Sequence, residues 1–564
     1  MPSDTRPRPT PLRAGHASPG GGWSVTGLVV LLGVVLVGGL ARLWRLPTAY
    51  DLFIDEVTYT DIARSVAAGE GVLLHGEPFF LHPAGVFWVL AGAERLLGLQ
   101  DAGLAASAYS FRVVPALLGA LTPGVLALVV RTVTRSWPAA AAAGLVLALE
   151  PFLLRFDSRV LLEAQAMLLA AAALLVAARA SRRAGDGRPA TLLPVGVGLL
   201  ACGALLSKET YAFVSVFPLA VLLVTGWGLP RRSSAVALGT AVTGYLLYVA
   251  SVAADGLLGV WFEEKTTGVR RLLGLVQETG FNREGSPGFV DRLVANLGVL
   301  GSTYLLIGLG GVATAWLVWR LWRRRPVPVE RGPLVVLLVW VACGDAHAAY
   351  ALTLGTLEEQ MFYLLVATAV PVLAVAATVA LRVAGAGATT RSAGTTTDGT
   401  SEGTPDSTPD GTPDGTAGAR RRATGVRAGS RSLAAALAVG TALLLVWEAG
   451  VWWRLRSVPD DGYLRLLEWT ATGLPDGARV ATTEETLQFL LDDHLVQRLG
   501  TGAEVREFGA SHVLVVSELV DQGYSEVDDE LAALVEDGDV VFRSSTRTVG
   551  ELLVVELAPD PAAD

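Results

Sequence analysis

Cysteine is nearly missing from this sequence: Cys202 and Cys343 are the only two among 564 residues. They stand in separate apolar stretches, and neither belongs to a metal-type spacing. A disulfide framework and a zinc cluster are therefore excluded, and both read as small buried hydrophobes. Lysine is equally scarce, with Lys208 and Lys265 alone. Basic character rests on arginines that punctuate apolar runs, a pattern that gives no sign of nucleic acid as a partner. Charged residues make up only 17% of the chain while 52% is hydrophobic, at a mean hydropathy of +0.48, which excludes a soluble protein of this size. The remaining class is a polytopic α-helical membrane protein. The net charge of -9 is uneven, because the acids gather in the last hundred or so residues.

Apolar runs at 23–46, 81–99, 109–131, 137–154, 159–180, 190–207, 210–228, 233–254, 294–320, 332–354, 360–382 and 432–453 predict about 11–13 hydrophobic helices. Trp23–Leu46 is too long for a signal core and has no small-x-small cleavage site, so it reads as an anchor. Residues 1–22, rich in Pro, Gly, Ser and Arg, read as a disordered cytoplasmic tail. Clusters at Arg131/Arg135, Arg182/Arg183/Arg188, Arg231/Arg232, Arg320 to Arg331 and Arg420 to Arg431 alternate consistently if all are cytoplasmic. The opposite ends then meet outside, and with them Arg155, Asp157, Arg159, Lys208, the polar loop 255–290 and Glu358/Glu359. That count leaves one crossing too many near the start. The segment 81–99, which opens with His82-Pro83 and carries Glu94 and Arg95, is the one expected not to cross.

The expected division is a membrane module over 23–383, a Thr/Pro/Asp/Gly linker over 384–431, a further membrane helix over 432–456 and an extracytoplasmic α/β domain over 457–564. Within that domain, Tyr463–Thr470, Glu484–Leu499 and Val527–Val535 read as helices. Arg479–Thr482, His512–Val516, Val540–Phe542 and Leu552–Glu556 read as strands. The domain has no phosphate-loop glycines and no metal-type His/Cys cluster.

Everything is organised around the first outward loop, which is expected to carry amphipathic helices. Its adjacent acids Asp55 and Glu56 follow the first membrane segment. Asp55 stands where a helix can begin, as N-cap or as something more. Val57, Ile62 and Val66 fit one face, and Gly69 can end the helix. Ionisable groups near membrane depth are costly and mark function. Carboxylates that accept a proton beside cations that hold a phosphate are what a lipid-phosphate substrate requires.

The ordered series Asp55-Glu56 with Tyr59 and Ala63, His82-Pro83, Arg112-Val-Val-Pro115 with Gly119, Arg159 with Glu163, and Lys208-Glu209 resembles the polyprenyl-phosphate-dependent glycosyltransferases of the C superfamily. Within it the likeness is to family 39, which includes protein O-mannosyltransferases and the lipid A aminoarabinose transferase. It extends over roughly residues 20–380. The chain departs from the family pattern at Ala84, where a second proline is common, and at Gln360-Met-Phe-Tyr363, where Arg-Tyr is common.

The resemblance implies an inverting transfer of one sugar from a polyprenyl-phosphate carrier to an acceptor hydroxyl at the extracytoplasmic face. The acceptor class stays open among protein, lipid and envelope glycan. Asp55 is the implied base, and His82, Arg159 and Lys208 are candidates for the donor phosphate. Glu56 has three open roles: a ligand to a divalent metal, an orienter of the acceptor, or the partner of a nearby arginine. Arg159 and Glu163 at i, i+4 can pair with each other, Lys208 can snorkel to the interface, Arg112 can anchor a helix end, and Tyr59 can simply pack. The helix-like stretch of 255–290 can lie on lipid or over the site. Rival readings are a transporter or lipid flippase, and an inactive scaffold. A transporter should place charges at the bilayer midplane, whereas these cluster at one face.

Overall fold

The computed structural model describes residues 24–187, 192–273, 275, 288–353, 360–393, 415–491, 494–521, 525 and 527–558. The N-terminal tail, Glu358/Glu359 and the middle of the expected linker lie outside the described residues.

Ser24 accepts from Gly27 N–H and starts α1 (Val25–Leu43), which turns Gly27, Val34, Gly38 and Ala41 inward while Leu28, Leu32, Leu36 and Leu40 stay exposed. Exposed leucines along a long apolar helix are the face expected of a membrane span. After it come α2 (Ile54–Ala68), the hairpin β1 (Leu73–Leu74) and β2 (Glu77–Pro78), α3 (Gly85–Leu97) and α4 (Leu104–Phe111). The bundle continues with α5 (Val113–Thr134), α6 (Trp137–Leu149), α7 (Pro151–Phe156), α8 (Glu163–Gly185), α9 (Leu193–Ser207), α10 (Ala212–Ser215), α11 (Phe217–Thr225), α12 (Arg231–Ala254), α13 (Leu258–Leu272), α14 (Phe289–Trp322), α15 (Arg331–Thr353), α16 (Gln360–Ala393) and α17 (Gly415–Ser457).

Among the described residues, eight helices are long and apolar enough to cross a membrane, and three shorter apolar ones cover 137–149, 193–207 and 209–225. With 13 residues, α3 reaches about 20 Å at 1.5 Å per residue, short of the ~30 Å hydrocarbon layer, and it packs on α2. Small residues let the helices close up: a Cβ on Gly144 would strike Val34, one on Gly310 would strike Ala369, and one on Gly198 would strike the Ala237 carbonyl. The basic ends converge. Arg135 pairs with Glu330, and Arg382 reaches the Thr134 and Pro328 carbonyls.

Helices run into both ends of the expected linker, to Ala393 and from Gly415, because its Ala- and Arg-rich flanks are good helix formers.

The C-terminal domain follows α18 (Gly462–Gly473). Its strands are β3 (Arg479–Thr482), β4 (Leu495–Arg498), β5 (His512–Val516), β6 (Asp539–Thr546) and β7 (Gly550–Glu556), ordered β4-β3-β5-β7-β6. β4, β3 and β5 are parallel, while β7 pairs antiparallel with β5 and β6. Leu514 and Val516 join one core and Val513 the other, so helices cover both faces. The helix expected over 484–499 is a correction: it spans only Glu485–Leu490, capped by Glu484, and Leu495–Arg498 pairs beside β3 instead. The described helix ends at Leu490, and Leu495 and Val496 suit a strand. A short helix at Gly502–Phe508 was also missed, although Thr501 and Glu504 form the capping box that signals it.

Candidate active site

The first loop is a belt of backbone followed by α2. Phe53 is the N-cap of α2 and offers no side-chain cap, so Asp55 is not the capping residue. It lies instead in the first turn, partly exposed, where unpaired helix N–H groups favour an anion. Its neighbour Glu56 points the other way into full burial. Arg112, at the α4–α5 junction, grips it with both fork arms, Nε to Oε2 at 2.8 Å and Nη2 to Oε1 at 2.8 Å. Val160 N–H adds a third bond at 3.0 Å. The rest of the guanidinium donates to the carbonyls of Tyr50 (2.7 Å), Pro47 (3.2 Å) and Asp51 (3.2 Å). Of its three open roles, Glu56 thus takes the third. The pair ties α2 to the belt and to the loop before α8.

Arg159 and Glu163 do not pair. The chain turns through 157–162 before α8 begins, so helical i, i+4 geometry is absent there. Glu163 instead holds Lys208 at 2.5 Å, both of them buried, which removes the snorkelling reading of Lys208. Arg159 lies over the rings of Tyr50 (5.3 Å) and Phe53 (5.7 Å), with Glu56 Oε1 3.9 Å from its Nε.

One helical turn after Asp55, the buried Tyr59 ring meets His82 edge-on at 5.9 Å. Burial, reinforced by the positive charges of Lys208, Lys265 and Arg271, pushes His82 well below the usual imidazole range, so it is neutral near pH 7. His82 and Lys208, the two residues offered above for the donor phosphate, thus stand in one neighbourhood. Arg159 belongs to a second, beside Glu56 and Tyr50. α13 is amphipathic and joins the first neighbourhood: Glu264 accepts from Phe80 N–H at 2.7 Å, and Lys265 pairs with Glu209 and donates to the Leu81 carbonyl at 3.2 Å. Of its two open readings, α13 is tethered over this loop.

Sequence reasoning missed the groups that bind the belt to the C-terminal domain. Asp51, fully buried, accepts from Leu52 N–H (3.1 Å), Gly462 N–H (2.5 Å) and Tyr463 N–H (3.1 Å). It thereby caps α18 from more than 400 residues away, and Gly462 is needed there because a Cβ would lie 2.8 Å from the carboxylate. No local pattern announces such a cap. Asp157 is likewise fixed at a distance, by Arg42 of α1 (2.8 Å) and Tyr363 of α16 (2.5 Å).

Burial and the nearby Asp460 raise the Asp51 carboxyl to about 6, against the lowering effect of its backbone donors. A carboxyl held above its ordinary 3.8 favours the docked state when protonated. That contribution is complete below pH 3.8 and is lost as pH rises through about 6. Docking should therefore tighten as pH falls from 7 toward 5, by at most about 1.4 kcal/mol per pH unit. Proteolysis of the domain boundary across this range should slow at lower pH, and Asp51→Asn should flatten the dependence. An unchanged slope in the variant would refute the assignment.

Among the described residues no group of three His, Cys, Asp or Glu could hold a metal. Both Glu56 oxygens are already engaged by Arg112. With both committed, Glu56 does not fit as a metal ligand.

The family model for dolichyl-phosphate-mannose-protein mannosyltransferases matches residues 32–251. Comparison with curated protein sequences gave no match. Among solved structures, the chain is similar to the oligosaccharyltransferase AglB from Archaeoglobus fulgidus, in complex with an inhibitory peptide and a dolichol-phosphate. The identity is 13% and the TM-score 0.54, over 95% of this chain and 74% of that one. It is also similar to ArnT from Cupriavidus metallidurans bound to undecaprenyl phosphate, at 17% identity and a TM-score of 0.51, over 95% of this chain and 100% of that one. Identities this low speak to the fold. Family model and fold together bear out the resemblance to C-superfamily, polyprenyl-phosphate-dependent glycosyltransferases, enzymes embedded in membranes.

Proposed function

We propose that the protein transfers a sugar from a polyprenyl-phosphate carrier to an acceptor hydroxyl at the extracytoplasmic face, with inversion and with Asp55 as general base. The observation that carries this reading is the surface of α2: the partly exposed Asp55 stands one turn from Tyr59, whose ring meets His82 in the neighbourhood of Lys208, Lys265 and Arg271. A proton acceptor thus stands one turn along α2 from a tyrosine that meets His82, with the ion-paired Lys208 and Lys265 nearby. The acceptor oxygen attacks the anomeric carbon as its proton passes to Asp55, and the bond from that carbon to the phosphate oxygen breaks. The electron pair leaves with the polyprenyl phosphate, which the ammonium of Lys208 and an N–H of the neutral His82 receive. A single displacement of this kind inverts the anomeric centre.

The orientation rests on the convergence of Arg135 and Arg382 at the opposite end of the bundle, which the charge bias of membrane loops assigns to the cytoplasm together with the expected tail 1–22 and linker 384–431.

The test reconstitutes the purified protein with polyprenyl-phosphate sugars and measures released polyprenyl phosphate and product configuration. In intact cells, a cysteine replacing Ser517 should react with an impermeant thiol reagent. No release with any donor, or a retained anomeric configuration, would remove the reaction; a protected cysteine would reverse the face.

A further inference from the structure

We propose that the turn at Arg547-Thr548 of the C-terminal domain completes the active site by positioning Arg159, so that this domain is a working part of the catalytic loop; the role given to Arg159 rests on the transfer reading above. The domain grips the belt at several points. Arg547 Nη2 donates to the Ala49 carbonyl and to Asp460 Oδ2, each at 2.9 Å, and its Nη1 reaches the Leu455 carbonyl at 3.2 Å. Asp460 N–H donates to the Thr48 carbonyl at 2.9 Å. At the end of α17, just before the domain, Arg456 donates to Ser158 Oγ at 2.5 Å, next to Arg159 in sequence. The Tyr50 ring lies beneath three guanidiniums, those of Arg159 (5.3 Å), Arg456 (5.7 Å) and Arg547 (5.2 Å).

Thr548 is the contact with a direction. Its N–H and Oγ1–H both donate to Asp460, at 3.0 and 2.6 Å. With its hydrogen committed, the hydroxyl oxygen faces Arg159 as an acceptor, 3.5 Å from Nη2. The same Nη2 lies 3.4 Å from the Asp51 carbonyl. Buried Arg159 is thus steadied by two long contacts and two ring faces, while its Nε, 3.9 Å from Glu56 Oε1 and beyond hydrogen-bond reach of it, is buried without a hydrogen-bond partner. A buried guanidinium N–H left unmatched is a costly state that an incoming anion relieves. Where that donor points is set by Tyr50, Asp51 and Thr548. Thr548 and Arg547 would touch no substrate in this account; they are positioning residues acting through Arg159 and, through the Ala49 carbonyl, on the belt that leads to Asp55.

The experiment uses the full-length protein and measures binding of unglycosylated polyprenyl phosphate, alongside sugar transfer and melting temperature. The variants are Thr548→Val, Thr548→Ser, Arg159→Gln and the double variant Thr548→Val/Arg159→Gln. Thr548→Val keeps shape and loses the hydroxyl, and should weaken lipid binding about tenfold, whereas Thr548→Ser stays within about twofold of the parent. In the Arg159→Gln background the valine change should cost less than about twofold, because the residue it steers is gone. Full-strength binding by Thr548→Val, equal losses in both backgrounds, or wild-type protein that does not bind the lipid would each overturn the proposal. A folding defect shows in the melting temperature, and Thr548→Ser then decides: rescue of binding supports the positioning role and failure of rescue overturns it. Wild-type protein that binds the lipid and transfers no sugar removes the transfer reading while leaving the coupling between Thr548 and Arg159 measurable.

Discussion

Asp55→Asn is expected to lower sugar transfer by roughly 10²–10⁴, the factor a positioned general base supplies, with little change in melting temperature. Because Phe53 and not Asp55 occupies the cap position, the substitution removes no capping bond at that site. The carboxylate is partly exposed in the first turn, so an amide of equal size costs only a few tenths of a kcal/mol of helix-end electrostatics. Two magnitudes therefore separate cleanly: a loss of about 3–5 kcal/mol in the transition state against almost none in stability. Turnover and unfolding of the purified variant are measured side by side. Near-wild-type turnover by a folded variant would take the base assignment away from Asp55, and a collapse of stability would make it structural.

Arg112→Ala should have the opposite profile. It leaves the buried Glu56 carboxylate with only the Val160 N–H and Arg159 at 3.9 Å, and leaves the carbonyls of Pro47, Tyr50 and Asp51 without their shared donor. Breaking one partner of such a pair costs about 3–5 kcal/mol, a large fraction of the total for most proteins. Glu56→Ala should cost a similar amount, because Arg112 is then the orphan. Replacing both with apolar residues of similar volume should recover much of the loss, since a buried ion pair is worth little more than the packing that could replace it. Thermal unfolding in detergent reads all three. If Glu56→Ala unfolds like the parent and is still inactive, Glu56 has a chemical role beyond the arginine it holds.

The comparison of sequence with structure divides by distance along the chain. Membrane helices were legible because a run of about twenty apolar residues carries its own signal, and β3 and β5 were legible for the same local reason. Asp55, Tyr59, His82 and Lys208 were legible as an ordered series, and the structure places Tyr59 against His82 and Lys208 near it. The pairings were not. Arg159 and Glu163 looked like partners because helical periodicity was extended across a turn, whereas Glu163 finds Lys208 and Glu56 finds Arg112. No spacing rule connects Asp51 with Gly462 or Arg547 with Ala49, since nothing local depends on those contacts.

The cap that Asp51 provides has a temporal side. Its bonds to Gly462 and Tyr463 close over 411 and 412 residues, and the one from Arg547 to Ala49 over 498. Contacts of such separation form late, after local helices are in place. Residues 49–53 leave the ribosome more than 400 residues ahead of the groups that hold them. A chain still being made would hold its acids in the membrane surface with the belt ungripped, and the loop would reach its final geometry only when Thr548 arrives.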